Sequence, residues 1–310
     1  MSWLVFALAG PVFWAISVHL DKYLVERFFK DSDVAVLLVF TASIGLLFLP
    51  FIWLYEPDVT APGAASITVI MASGVLYMGA MLLYLRALQT EEASVVAPFF
   101  QASPLFGYGL AYLVLGESLS ARQMAGGILI IAGALLVSLK FGSSGNGDAA
   151  GHSRFKARLA LLMLACGFAL AVSTLIFKIF AVRTAFWTTT FWLFVGEAVF
   201  AVALLSIRAY REQFLILLRT NTAALLSINA SNELINLGGG LGNRYALLFA
   251  PLSIVQAIGS TTTLFVFLFG VLLSVVSPRL GRENLSTREL VQKGVAAVLV
   301  ATGVALVTRS

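Results

Sequence analysis

Asn229, Asn232, Glu233 and Asn236 recur at offsets of three, four and seven, which puts all four on one face of a helix. The run that carries them, AALLSINASNELINLGGG, is otherwise mostly apolar. An ionisable group in hydrocarbon costs at least ~2.5–3.5 kcal/mol, so Glu233 needs a reason to be there. Three amides can hold a polar substrate by donating and accepting hydrogen bonds without adding charge. A carboxyl among them can take up a proton on one side of a membrane and release it on the other. Gly238-Gly239-Gly240 can loosen the helix and free carbonyls toward a cavity. The plainer reading is adhesion between helices, since Asn also holds bundles together.

Other polar residues in apolar surroundings extend this set. Glu197, near Trp187 and Trp192, is the second proton-coupling candidate; its alternative is a permanent pair with a lysine or arginine. Lys22 and Lys178 fall in the final turns of their runs, where long side chains reach for headgroups or pair with a carboxylate. His19, three residues before Lys22, relays a proton or simply hydrogen-bonds within the bundle. Trp14, Tyr77, Gln101, Gln256 and Ser260 complete the candidate substrate pathway, although each aromatic equally fits core or lipid packing. The chain lacks HExxH, GxSxG and phosphate-loop patterns, and two histidines with one cysteine do not make an ordinary zinc site. The expectation is therefore no enzyme, no cofactor and no metal.

The elements that must position these residues follow from composition. Hydrophobic residues make up 60% of the 310 positions and charged ones 11%, well below the roughly 25% charge of a soluble domain. The net charge of +5 is scattered between apolar runs, which fits loops near headgroups and not a nucleic-acid surface. A 20-residue apolar window predicts ten spans, roughly 3–23, 34–54, 66–88, 94–115, 124–139, 159–180, 185–205, 223–241, 251–276 and 290–307. Residues 141–156, with FGSSGNGDAAGHS at their core, read as a flexible linker between a first unit, 1–140, and a second, 157–310.

The two units resemble each other. A shift of 156 lays Leu8, Ala9, Ala15, Ser17, Lys22 and Arg27 on Leu164, Ala165, Ala171, Ser173, Lys178 and Arg183. A shift of 159 lays Ala87, Leu88, Ser94 and Val96 on Ala246, Leu247, Ser253 and Val255, and brings Tyr77 to Asn236. A shift of 166 lays Glu117-Ser118-Leu119-Ser120 on Glu283-Asn284-Leu285-Ser286. Five helices per unit make the second enter from the opposite side. The predicted fold is thus an all-α integral membrane protein of two inverted five-helix repeats, with a substrate site near the midplane. Loops after odd-numbered spans are rich in Lys and Arg, whereas the other side holds only Arg122, Lys178, Arg183, Arg244 and Arg309. By the positive-inside rule the odd loops face the cytoplasm.

Ala87-Leu88, Pro98, Pro104, the run Leu115-Gly116-Glu117-Ser118-Leu119-Ser120, Gln123, Gly126 and Gly133 together resemble the EamA branch of the drug/metabolite transporter superfamily. The second half follows the pattern more loosely, with Thr263 where a proline is frequent and Arg282 where a glycine precedes the glutamate. The resemblance implies secondary transport of metabolites or drugs, often export, without a bound cofactor. Together with the polar face it makes the expected protein a multi-pass carrier of the cell (inner) membrane, a monomer or homodimer. Its partners are a small-molecule substrate and the bilayer, and its leading mode is proton-coupled export by alternating access. The alternatives are a facilitative exchanger and a non-transporting scaffold or sensor.

Overall fold

In a bilayer every backbone N–H and C=O of a spanning segment must be satisfied internally, so apolar runs of this kind fold as helices. The structure, a computed structural model, describes residues 2–28, 33–90, 102–138, 149–220, 222–276 and 287–308, and over these it is helical with no strand. Helix α1 spans Ser2–Phe28, α2 Ala35–Tyr55, α3 Ala64–Thr90, α4 Ala102–Leu110, α5 Ala121–Ser138 and α6 Ala149–Arg183. Then come α7 Phe186–Ser206, α8 Arg208–Thr220, α9 Thr222–Ala246, α10 Leu252–Gly259, α11 Thr262–Val276 and α12 Thr287–Thr308.

Six stretches are long and apolar enough to cross a membrane among the described residues: α1, α2, α3, α6, α7 and the pair α10–α11. Three shorter apolar helices, Ser103–Leu115, Ala121–Leu136 and Val291–Val307, occupy the expected fourth, fifth and tenth spans. The eighth expected span is α9, whose amides, glutamate and arginine lower its hydropathy. Two features depart from the expected ten. The ninth span is broken at Ser260-Thr261 into α10 and α11. An additional amphipathic helix, α8, follows α7; it buries Leu217, stacks Phe214 against Phe40 with ring centroids 4.8 Å apart, and turns Leu215 and Ile216 outward. Such a helix suits the plane of the membrane interface.

The tightest packing uses glycine to bring backbones together. A side chain at Gly196 would collide with the Met71 carbonyl, and one at Gly74 with the Leu193 carbonyl, so α3 and α7 touch backbone to backbone. Gly126 and Gly133 on α5 face Gly303, Val300 and Ala296 on α12 in the same way. Ala297, Ala301 and Ala305, spaced four apart along α12, are on a different side, with Ala301 and Ala305 exposed. Helix α1 lies along α9, and α3 along α6; α2 packs on α7, α4 on α6, and α1 also on α11.

The apolar interior divides in two. One cluster gathers Ala7, Ile52, Val59, Ile70, Leu193, Leu247 and Leu252; the other gathers Leu24, Val34–Phe40, Met78, Leu204, Leu217 and Leu225. Each of α1, α2, α3, α7 and α9 contributes to both clusters at opposite ends. The polar side chains of these helices lie where the clusters part.

Candidate functional site

The gap between the clusters holds two adjoining chambers of one polar cavity region. The first is lined by Asp21, Leu37, Leu38, Thr41, Tyr77, Tyr84, Glu233 and Asn236. The second is lined by Thr41, Ile44, Gly45, Tyr77, Phe194, Glu197, Glu233, Asn236, Gly240 and Arg244. Thr41, Tyr77, Glu233 and Asn236 border both, so α2, α3 and α9 form the wall the chambers share.

Helical periodicity on α9 brings the amide–carboxyl face inward as the spacing requires. Asn229, Asn232 and Glu233 are buried, and Glu233 and Asn236 reach the cavity. The Thr41 hydroxyl donates to Glu233 Oε1 at 2.6 Å. Asn232 does not line either chamber; its Nδ2 donates to Asp21 Oδ1 on α1 at 2.6 Å. The side-chain oxygens of Asn229 and Asn232 are buried without a hydrogen-bond partner. Thus one face serves both readings: Glu233 and Asn236 line the cavity, while Asn232 ties α9 to α1.

The glycines after this face do not unwind the helix, contrary to the sequence reading. Helix α9 is continuous through Gly238–Gly240 to Ala246. Gly239 instead admits Phe13, Trp14 and the Gly10 carbonyl of α1, and Gly242 admits the Phe6 carbonyl. Close approach is therefore the use of Gly239 and Gly242, whereas Gly240 meets nothing within 4 Å. Trp14, half-buried, packs at this contact and is absent from both cavity linings.

Glu197 faces the second chamber and is 7% exposed, with Arg244 3.7 Å away. Arg244 corrects a sequence expectation. It is not a loop charge; it lies in the last turn of α9, 15% exposed, among the rings of Tyr77, Phe177 and Phe194. Asp21 and Arg244 are the functional candidates the sequence reading missed. Asp21 is adjacent to Lys22 near a helix end and so resembled headgroup charge; Arg244 lies three residues beyond 241, where the sequence reading ended that span, and so resembled loop charge.

Lys178 pairs with Glu117 at 2.5 Å, both largely buried, and also donates to the Ala250 carbonyl at 2.9 Å. Glu117 Oε2 accepts the Leu252 N–H at 2.9 Å, at the first turn of α10. Gly116 makes this possible: at φ 65° it ends the π-helical turn Ala111–Leu115 in the left-handed region and turns Glu117 back toward the bundle. Lys178 thus binds a carboxylate and does not reach for headgroups. Lys22, the repeat match of Lys178, is exposed, and Glu283, the repeat match of Glu117, lies outside the described residues. His19 Nε2 bonds the Val266 carbonyl on α11 at 3.0 Å, as a bundle contact.

Ser253 in the first turn of α10, and Ser260 and Thr261 at its break with α11, are buried with unpartnered hydroxyls, and Gln256 Oε1 is likewise unpartnered against Gly107. Gln256 and Ser260 belong to neither chamber. Gln101 lies outside the described residues.

Comparison with known proteins places this arrangement. Residues 1–139 match the EamA-like transporter family. The family lies within the drug/metabolite transporter superfamily, and its members are membrane transporters of small molecules and not enzymes. The matched stretch contains Leu115-Gly116-Glu117 and its neighbours, on which the sequence resemblance rests, and the chain is a multi-pass membrane protein. An uncharacterized protein of Methanocaldococcus jannaschii is 28% identical over 137 residues, which are 44% of this chain and 96% of that relative. A solved crystal structure of a protein superposes with a TM-score of 0.72 over 99% of this chain and 96% of its own, at 13% identity, a likeness of fold alone.

Proposed function

We propose that this EamA-like chain is a secondary active transporter of a small metabolite or drug, working by alternating access and coupled to protons. Its substrate site is the two-chambered cavity, and Glu233 is its coupling group. One observation carries the reading. Among the described residues, Glu233 is a buried carboxyl that borders both chambers, is hydrogen-bonded to a neutral hydroxyl and is not ion-paired. A carboxyl with no fixed counter-ion is free to exchange a proton with whichever side wets the cavity. Export, across the inner membrane, is the direction that the family resemblance implies.

The packing supports two inverted repeats. With residues 1–138 and 149–308 taken as the halves, the first helix of each half packs on the third of the other, as α1 on α9 and α6 on α3. The second helices pack on each other, α2 on α7, and so do the fifth, α5 on α12. The first helix of each half also meets the fourth of the other, α6 with α4 and α1 with α11. An exchange of halves therefore returns the same neighbours. The relative from Methanocaldococcus jannaschii adds support, since 96% of its length matches only 44% of this chain, about the size of one unit. In such an architecture a rocking of one half against the other opens a central site to alternate sides.

Flux of a labelled metabolite panel into proteoliposomes, with and without an imposed pH gradient, tests the function. Uphill movement that requires the gradient is the expected result. Equal exchange without any gradient dependence would make the chain a facilitative exchanger, and absence of flux for every compound would leave a scaffold or sensor.

A further inference from the structure

Arg244 is an expensive residue to keep where it is. A guanidinium in the interior of a membrane protein ordinarily secures itself with bidentate hydrogen bonds. Among the described residues its only ionic contact is Glu197 at 3.7 Å, beyond hydrogen-bond distance. Three rings hold the cation instead: Phe177 at 5.6 Å, and Tyr77 and Phe194 each at 5.8 Å from ring centroid to guanidinium carbon. Rings fix the position of a cation without using its N–H donors. Those donors therefore remain available at the wall of the second chamber, which Arg244 lines.

We infer that Arg244 is the subsite for a carboxylate group of the substrate, and that Glu197 is the placeholder this carboxylate displaces. The inference rests on the central cavity being the substrate site, and it adds the chemical class that the cavity takes. The charges decide among anions. Glu197 and Glu233 share the second chamber with Arg244, and Asp21 faces the first. A phosphate dianion at Arg244 would bring two negative charges to a chamber that already holds two carboxyls. A monocarboxylate brings one, matches the planar fork of the guanidinium, and replaces a loose 3.7 Å contact with two direct hydrogen bonds. The rest of the molecule would extend past Tyr77 and Phe194, whose rings favour a compact apolar or aromatic body.

The displacement also couples binding to shape. Glu197 is on α7 and Arg244 on α9, so the pair is a cross-link between two helices across the cavity. Substrate takes Arg244 away from Glu197 and loosens that cross-link only when the site is filled.

The test uses the intact carrier in detergent and in proteoliposomes. The probes are a panel of small monocarboxylates, each paired with its own methyl ester, read by thermal shift and by inhibition of flux. The wild-type protein is expected to bind at least one carboxylate about tenfold or more tighter than its ester. Arg244→Met should erase that preference, Arg244→Lys should keep a reduced one, and Glu197→Gln should tighten the carboxylate by removing its competitor. Equal binding of acids and esters, or no binding of any acid by the wild type, would overturn the carboxylate subsite. If esters or cationic compounds were nevertheless carried, the transport reading would stand without it. The acid–ester comparison needs no mutant, so a misfolded Arg244→Met leaves the question decidable.

Discussion

Asn232 on α9 donates its Nδ2 to Asp21 Oδ1 on α1 across 2.6 Å. The bond joins α1 to α9 beside the chamber that Asp21 and Glu233 both line. It supplies the buried Asn with a strong acceptor and Asp21 with a neutral donor. Asp21→Asn preserves an acceptor for Asn232, whereas Asp21→Ala leaves a buried amide unsatisfied at a cost of about 1–3 kcal/mol. Thermal unfolding in detergent should therefore rank wild type and Asp21→Asn together, above Asp21→Ala. Equal melting of all three would mean that the contact contributes nothing to holding α1 on α9.

The Lys178–Glu117 pair gives a second prediction. Its side chains are 13% and 16% exposed, and the pair anchors the start of α10 through the Leu252 N–H. Removing one member of a buried ion pair strands the other, typically at about 3–5 kcal/mol. Lys178→Met should lower the unfolding temperature sharply, and the double substitution Lys178→Met with Glu117→Gln should recover part of the loss. A double mutant less stable than the single one would show that the lysine acts elsewhere.

Sequence reasoning recovered what periodicity and cost can express. Polar residues on one face of an apolar run must have somewhere to go, and Glu233 and Asn236 do reach a cavity with Tyr77 and Glu197. It failed where identity depends on a distant partner. Nothing local to Arg244 announces three rings from α3, α6 and α7, and nothing local to Asp21 announces an amide some two hundred positions away. Glycine was legible as unusual but ambiguous in use, since loosening a helix and admitting a neighbour leave the same residue. The break at Ser260-Thr261 was hidden because the flanking residues are apolar enough to read as one span.

The α3–α7 contact tests that use of glycine. A Cβ at Gly196 would collide with the Met71 backbone, which cannot yield as a side-chain tip can. Gly196→Val should prevent the bundle from assembling, seen as loss of monodisperse protein on gel filtration. Gly294→Ala on exposed α12 surface meets nothing within 4 Å, and should be neutral or stabilise by up to about 1 kcal/mol through helix propensity. Normal assembly of Gly196→Val would contradict the close helix approach.

The last prediction concerns the coupling group. Glu233→Gln keeps the shape of the side chain and retains an oxygen to accept from the Thr41 hydroxyl, so the protein should fold and unfold as the wild type does. It removes the only feature that the proposed coupling needs, a proton that can be bound and released. Flux driven by a pH gradient should therefore be lost, while exchange of substrate across the membrane at equal pH persists. Thr41→Val makes the complementary change: it deletes the donor, leaves the carboxyl in place, and should alter how steeply flux depends on pH without abolishing the coupling. Together the variants separate the proton from the hydrogen bond. If Glu233→Gln carries substrate against its gradient as well as the wild type does, Glu233 is not the coupling group. Glu197→Gln then becomes the decisive variant, because Glu197 is the other carboxyl that borders the second chamber and its nearest cation is 3.7 Å away.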